Sequence, residues 1–159
     1  VVGVDGPCRC APPGHRLRED ERALRRAVCG IRWTPDTTTV DGSDYYAWIR
    51  EGLELFDALR ARGMAAVEVF PTASWTRWFG PRGAATRSRW STAGLARLGL
   101  EGVPGRTNQD QRDAIAAAVT ARQHTLGQTE AMGEIVVPRG LWSGARAGSP
   151  TRRPRRSPR

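Results

Sequence analysis

No lysine occurs in this chain: all 25 of its basic residues are arginine. So uniform a choice reads as the composition of a GC-rich genome, not as selection for guanidinium chemistry. Cysteine is scarce as well. Cys8, Cys10 and Cys29 make an odd number, which does not suit a secreted, disulfide-paired framework and favours a reducing cytosol. Their spacing with His15 lacks the paired Cys-x-x-Cys knuckle of a zinc site. No apolar run approaches the roughly 20 residues of a membrane span. The opening "VVGVDGPC" has neither the basic lead nor the long apolar region of a secretion signal. These absences predict a cytoplasmic protein with no membrane partner. The chain opens on Val1 where Met would be expected, which reads as an incomplete start.

What is present suits one domain: 159 residues can bury a core without disulfide staples. The formal charge of +9 invites a nucleic-acid partner. Its distribution is uneven. Seven arginines and no acids fall in residues 139–159, leaving 18 arginines against 16 acids in residues 1–138. The basic signal is mostly a tail. That tail, rich in Arg, Pro and Ser with no apolar periodicity, reads as disordered. Arg152, Arg153, Arg155 and Arg156 in it would bind any polyanion weakly and in a salt-dependent way.

Along the body, three segments read as strands: residues 1–5, residues 65–70 closed by Pro71, and residues 134–137. Between them "EDERALRRAVCG" reads as a helix with acids first and arginines later, and "TPDTTTVDG" reads as a loop. Residues 45–62 carry helical periodicity, with Ser43 or Asp44 as cap and Gly63 as stop. Pro71 suits the first turn of a short helix carrying Trp75 and Trp78, which are the best base-stacking candidates of the six tryptophans, although tryptophan is more often core. "STAGLARLGL" predicts a short helix capped by Ser91 or Thr92. Asn108 caps a last helix that stops at Gly127.

Four acids stand out. Asp110 and Asp113, in "DQRDAIAAAVTA", are three residues apart and share a helix face, while Ala114, Ala117, Ala118 and Ala121 let that helix lie close to a sheet. Glu68 sits inside an apolar strand and Asp5 ends another. Each has an ordinary reading: Asp110 as a helix-dipole acid, Glu68 as the partner of an Arg, Asp5 as a turn former. Clustered, they would repel one another until a divalent cation relieved the charge, and hard oxygen ligands suit Mg²⁺ or Mn²⁺.

"DQRDAIAAAVTA" resembles the last metal-binding helix of RNase H-like nucleases, and of RuvC-type Holliday junction resolvases in particular. The wider pattern is similar to a bacterial family of predicted RNase H-like nucleases, the domain of unknown function numbered 429. Four motifs match in order: "VDGP", the Arg-rich "GHRLREDERALRRAVCG", "VEVFP", and the Asp-x-x-Asp helix followed at some distance by "GEIVVP". Together they span about residues 1–138. The resemblance implies an α/β, RNase H-like mixed sheet flanked by helices. It implies a metal-dependent nuclease in which Asp5, Glu68 and Asp113 are catalytic and hold two Mg²⁺ or Mn²⁺ ions, with Asp110 as a fourth or outer ligand. A metal-activated water would attack the phosphodiester.

The family sheet begins with three consecutive antiparallel strands, the first bearing a catalytic Asp. After Asp5 this chain offers no hairpin signal, only a Pro/Gly loop and a helix. The preferred reading is a domain lacking its first strands, with "VVGVD" as a later one; the alternative makes Asp5 the first-strand Asp. Such a sheet would carry an unpaired edge through which copies of the chain could associate. Two functions follow: an active nuclease acting on nucleic acid, or a binding or scaffold protein that keeps the fold without the activity.

Overall fold

The structure, a computed structural model, describes residues 1–140. Four strands form a mixed sheet: β1 (Val2–Asp5), β2 (Ala66–Val69), β3 (Thr129–Met132) and β4 (Ile135–Pro138). Their order is β1-β2-β4-β3, with β1, β2 and β4 parallel and β3 antiparallel to β4. Six α-helices accompany it among the described residues: α1 (Glu19–Ala27), α2 (Thr37–Asp41), α3 (Ala47–Ala61), α4 (Pro71–Phe79), α5 (Arg87–Leu98) and α6 (Gln109–Thr125). The protein is thus α/β, and none of these helices is long and apolar enough to cross a membrane. Among the described residues β1 pairs on one side only, with β2, so it is an edge strand.

The register decides which residues share a face. Asp5 stands beside Val69, and Val4 beside Glu68. Side chains alternate along a strand, and in-register neighbours point the same way. Gly3 and Asp5 therefore face one side of the sheet, Val4 and Glu68 the other. α6 covers the first side. It lies so close that a Cβ on Gly3 would stand 2.2 Å from the carbonyl oxygen of Ala117. α1 covers the second side, where Leu24 packs with Ile135 and Val137.

A second apolar cluster lies among the helices. Trp75 and Trp78 of α4, Leu95 and Leu98 of α5 and Ala116 of α6 are buried together. The two indoles meet edge to face at 5.5 Å, an arrangement that the ring quadrupole favours. Trp75 and Trp78 are thus core side chains, and this corrects their reading as base-stacking candidates. Their spacing of three puts both on the buried face of α4. The α6 face differs in detail from expectation: Ala117 and Ala121 are buried, with Ala116 and Thr120, while Ala114 and Ala118 face solvent.

Local chemistry accounts for most boundaries. Asn108 caps α6 with a reciprocal capping box through Gln111. Pro71 opens α4, where its missing N–H costs nothing. Three expectations need correction. α2 forms where a loop was expected, because Asp36 accepts from Thr39 N and caps it. α5 starts a turn early, capped by Thr86 and not by Ser91 or Thr92. β3 was not anticipated. "TEAM" has little β character of its own, and β4 holds it as a hairpin partner through the turn at Gly133, which has φ +65°. Just past Pro138, Arg139 bonds the hairpin, donating through Nε to Thr129 O at 2.7 Å. The tail expected to be disordered lies, from residue 141 onward, outside the described residues.

Candidate functional site

A cleft of about 1040 Å³ opens at the carboxyl ends of β1 and β2, the place where parallel α/β sheets usually bind ligands. Asp5, Glu68 and Asp110 line it, and Asp113 stands behind Asp5. The four acids do not converge. Because Glu68 and Asp5 point to opposite faces of the sheet, they fall into two separate charge systems.

Glu68 belongs to a buried network around Arg18. The guanidinium donates to both its oxygens, at 2.8 and 2.5 Å, and Cys8 N donates to Oε2 at 2.9 Å. Arg18 is also bonded to Glu21 through Nε at 3.2 Å, and Glu21 in turn accepts from Thr34 N. Asp20 lies 3.9 Å from Arg18 and accepts from Arg9 at 2.7 Å. Burial alone would lower the basicity of Arg18; the hydrogen bonds and charge of Glu68, then Glu21, outweigh it and hold the guanidinium above its ordinary value. Burial, and then the charge of Glu68, pushes the Cys8 thiol up to about 12. Cys8 is thus a neutral thiol at neutral pH and no nucleophile.

Asp113 belongs to the other system. Arg87 donates to its Oδ2 at 2.7 Å, Gln109 Nε2 stands 3.0 Å from both oxygens, and Trp75 Nε1 donates to Oδ1 at 3.3 Å. The preceding residue, Arg112, is buried without an acid partner among the described residues. Its guanidinium donates instead to Ser91, Ser88, Gln109 and the carbonyl of Thr107. These bonds tie the start of α6 to α5.

Asp5 and Asp110 lie on the Asp113 side, but neither carboxylate has a hydrogen-bond partner among the described residues. Asp5 is exposed to solvent at the carboxyl end of β1, where the cleft opens. Partial desolvation by the surrounding protein, then the Asp113 carboxylate, raises its carboxyl from 3.8 to about 6, with Arg87 pulling the other way and Asp110 adding to the rise. The folded state therefore binds this proton more tightly than the unfolded chain, and the Asp5 contribution to stability falls as pH rises from about 4 to about 6. Asp5→Asn should melt close to the parent near pH 4 and above it at pH 7. An equal difference at both pH values would remove Asp5 from this electrostatic system.

Among the described residues, no group of three acids, cysteines or histidines could hold a metal ion. The donor set explains why. Both oxygens of Glu68 and of Asp113 already accept from N–H donors, and only Asp5 and Asp110 keep lone pairs open to the cleft. As arranged, the residues do not fit a Mg²⁺ or Mn²⁺ pair.

Sequence reasoning missed the arginines and aromatics of this cleft. Five arginines line it: Arg18, Arg25, Arg32, Arg82 and Arg87. Of these, Arg25, Arg32 and Arg82 have no acidic partner among the described residues, and Arg25 lies over the ring of Trp33. Trp33, Trp48 and Trp90 line it as well. For Arg18 a signal existed, since it stands three residues before Glu21 at a helix start, the spacing of a capping box. For Trp33, in a loop, there was none. No family model, curated protein or solved structure matches the chain.

Proposed function

We propose that this chain is an RNase H-like protein that binds the phosphate backbone of nucleic acid in its arginine-lined cleft without hydrolysing it. The motif resemblance and the placing of Asp5 beside the Asp113 helix support the fold reading. One observation carries the function: Arg18 and Arg87 neutralise Glu68 and Asp113, two of the expected catalytic acids, while Arg32 and Arg82 remain open to the cleft. Such a surface attracts a polyanion through counterion release, and the attraction falls steeply with salt.

A second reading, the metal-dependent nuclease, draws on Asp5. Its carboxyl is pushed up to about 6, first by desolvation and then by the charge of Asp113, with Asp110 adding less, and a divalent cation would relieve the repulsive part of that rise. One experiment separates the two. The full chain, with Arg152, Arg153, Arg155 and Arg156 changed to Ser to silence the tail, is titrated with single-stranded and duplex oligonucleotides, with and without Mg²⁺ or Mn²⁺. The binding reading expects salt-sensitive binding that needs no metal, weakened several-fold by Arg32→Ala with Arg82→Ala, and no cleavage. Binding that vanishes with the tail arginines sinks it. Metal-dependent cleavage that is lost in Asp113→Asn would establish the nuclease instead.

A further inference from the structure

We infer that the occupant of the cleft is a single strand, its bases stacked on the exposed indoles of Trp33 and Trp48 and its phosphates held by Arg32 and Arg82. This rests on the backbone-binding reading and adds which form of nucleic acid is bound and what holds the bases.

Large aromatic side chains are normally buried, and in this fold Trp75 and Trp78 are, each at 1% exposure. Trp33 and Trp48 are not: they keep 41% and 38% exposure, and both line the cleft. Neither belongs to an apolar core cluster. Trp33 is nonetheless held in place, because the guanidinium of Arg25 lies over its ring, 5.1 Å from the centroid. A cation over one face fixes the indole and leaves the other face for a planar partner. Indoles in an arginine-lined groove are the combination that holds single strands, since every base offers a π-face. A duplex hides those faces in its own stack.

The strand also has a way out. A smaller hollow of about 320 Å³ shares Arg25 and Trp33 with the cleft and continues to Arg22 and Arg26 on α1. Trp33 stands between the two, where a strand leaving the cleft would pass over it.

The test uses the full chain and a fluorescent oligothymidylate of about 15 nucleotides, a length within the site sizes of single-strand binders, beside a duplex of equal length. Affinity is read by anisotropy and stacking by quenching of tryptophan emission. Trp33→Ala should weaken single-strand binding roughly tenfold, the scale of one base–aromatic stack. Trp33→Phe should keep most of the affinity, and duplex binding should change little. If Trp33→Ala and Trp48→Ala leave single-strand affinity unchanged, or if the duplex loses as much, the stacking inference is overturned while the backbone-binding reading stands. If the parent chain binds neither probe, the reading beneath it fails too. Trp33 is exposed, so its variants should melt with the parent, and a matched melting curve keeps a binding loss distinct from unfolding.

Discussion

Arg18→Met is expected to cost about 3–5 kcal/mol, the range for removing one partner of a buried ion pair, and so to unfold much of a domain with ordinary marginal stability. The magnitude follows from what is left behind. Arg18 is 1% exposed and Glu21 and Glu68 are 0% and 5% exposed. Without the guanidinium, two buried carboxylates lose their counter-charge, and Asp20 loses a neighbour 3.9 Å away. Replacing a whole buried pair by apolar groups can be neutral, whereas orphaning one half is not. The double variant Arg18→Met with Glu68→Gln should therefore be more stable than Arg18→Met alone, and chemical denaturation of the four species in a double-mutant cycle measures the coupling. Additive losses would mean that Arg18 stabilises the fold through Glu21 and its packing and that Glu68 is incidental. The same network bears on function, because Glu68 can serve a cation only if Arg18 first lets go.

Which parts of this were legible beforehand follows from where each signal resides. Short-range signals read well: Asn108 as a cap, Pro71 as a helix start and the β-branched runs of β1 and β2 all act through neighbours in sequence. β3 was not legible because its pairing depends on β4, and α2 depended on a single Asp36 hydrogen bond. The acids show the limit most clearly. Alternation along β2 already set Glu68 opposite Val67 and Val69. What the sequence could not supply was the register, Val4 beside Glu68 and Asp5 beside Val69, which sends Asp5 and Glu68 to opposite faces. A list of acids in the right order along a chain says nothing about that parity, and a shift of one residue would have brought them together. The partners were equally hidden, since Arg18 and Glu68 are 50 residues apart and Arg87 and Asp113 are 26 apart.

Gly3→Ala, a change that strand propensity alone would favour, is expected to destabilise the protein by about 3 kcal/mol, the upper part of the overpacking range. Gly3 has no positive φ, so backbone freedom is not the reason. Space is. The new Cβ would stand 2.2 Å from Ala117 O, 2.7 Å from Ala117 C and 3.2 Å from Ala121 Cβ. The first two are helix backbone and cannot rotate away, so α6 as a whole must lift from β1. Gly94 makes the contrast: a Cβ there would meet ring atoms of Trp75 and Phe79 at 3.0 and 3.1 Å, and a shift of a few tenths of an ångström suffices, so Gly94→Ala should cost distinctly less. Adding Ala121→Gly to Gly3→Ala should not rescue it, because the carbonyl clash remains; a rescue would place the fault in the side-chain contact and refute the close-approach account. The functional consequence comes through Asp113. It rides on α6, one turn before Ala117, and accepts from Trp75 Nε1 and Arg87. Lifting α6 draws it away from Asp5 and from those donors, so tryptophan near-ultraviolet dichroism should change in Gly3→Ala even at temperatures where the chain stays folded. The smallest side chain in β1 thus sets the distance between the two carboxylates that the cleft floor depends on.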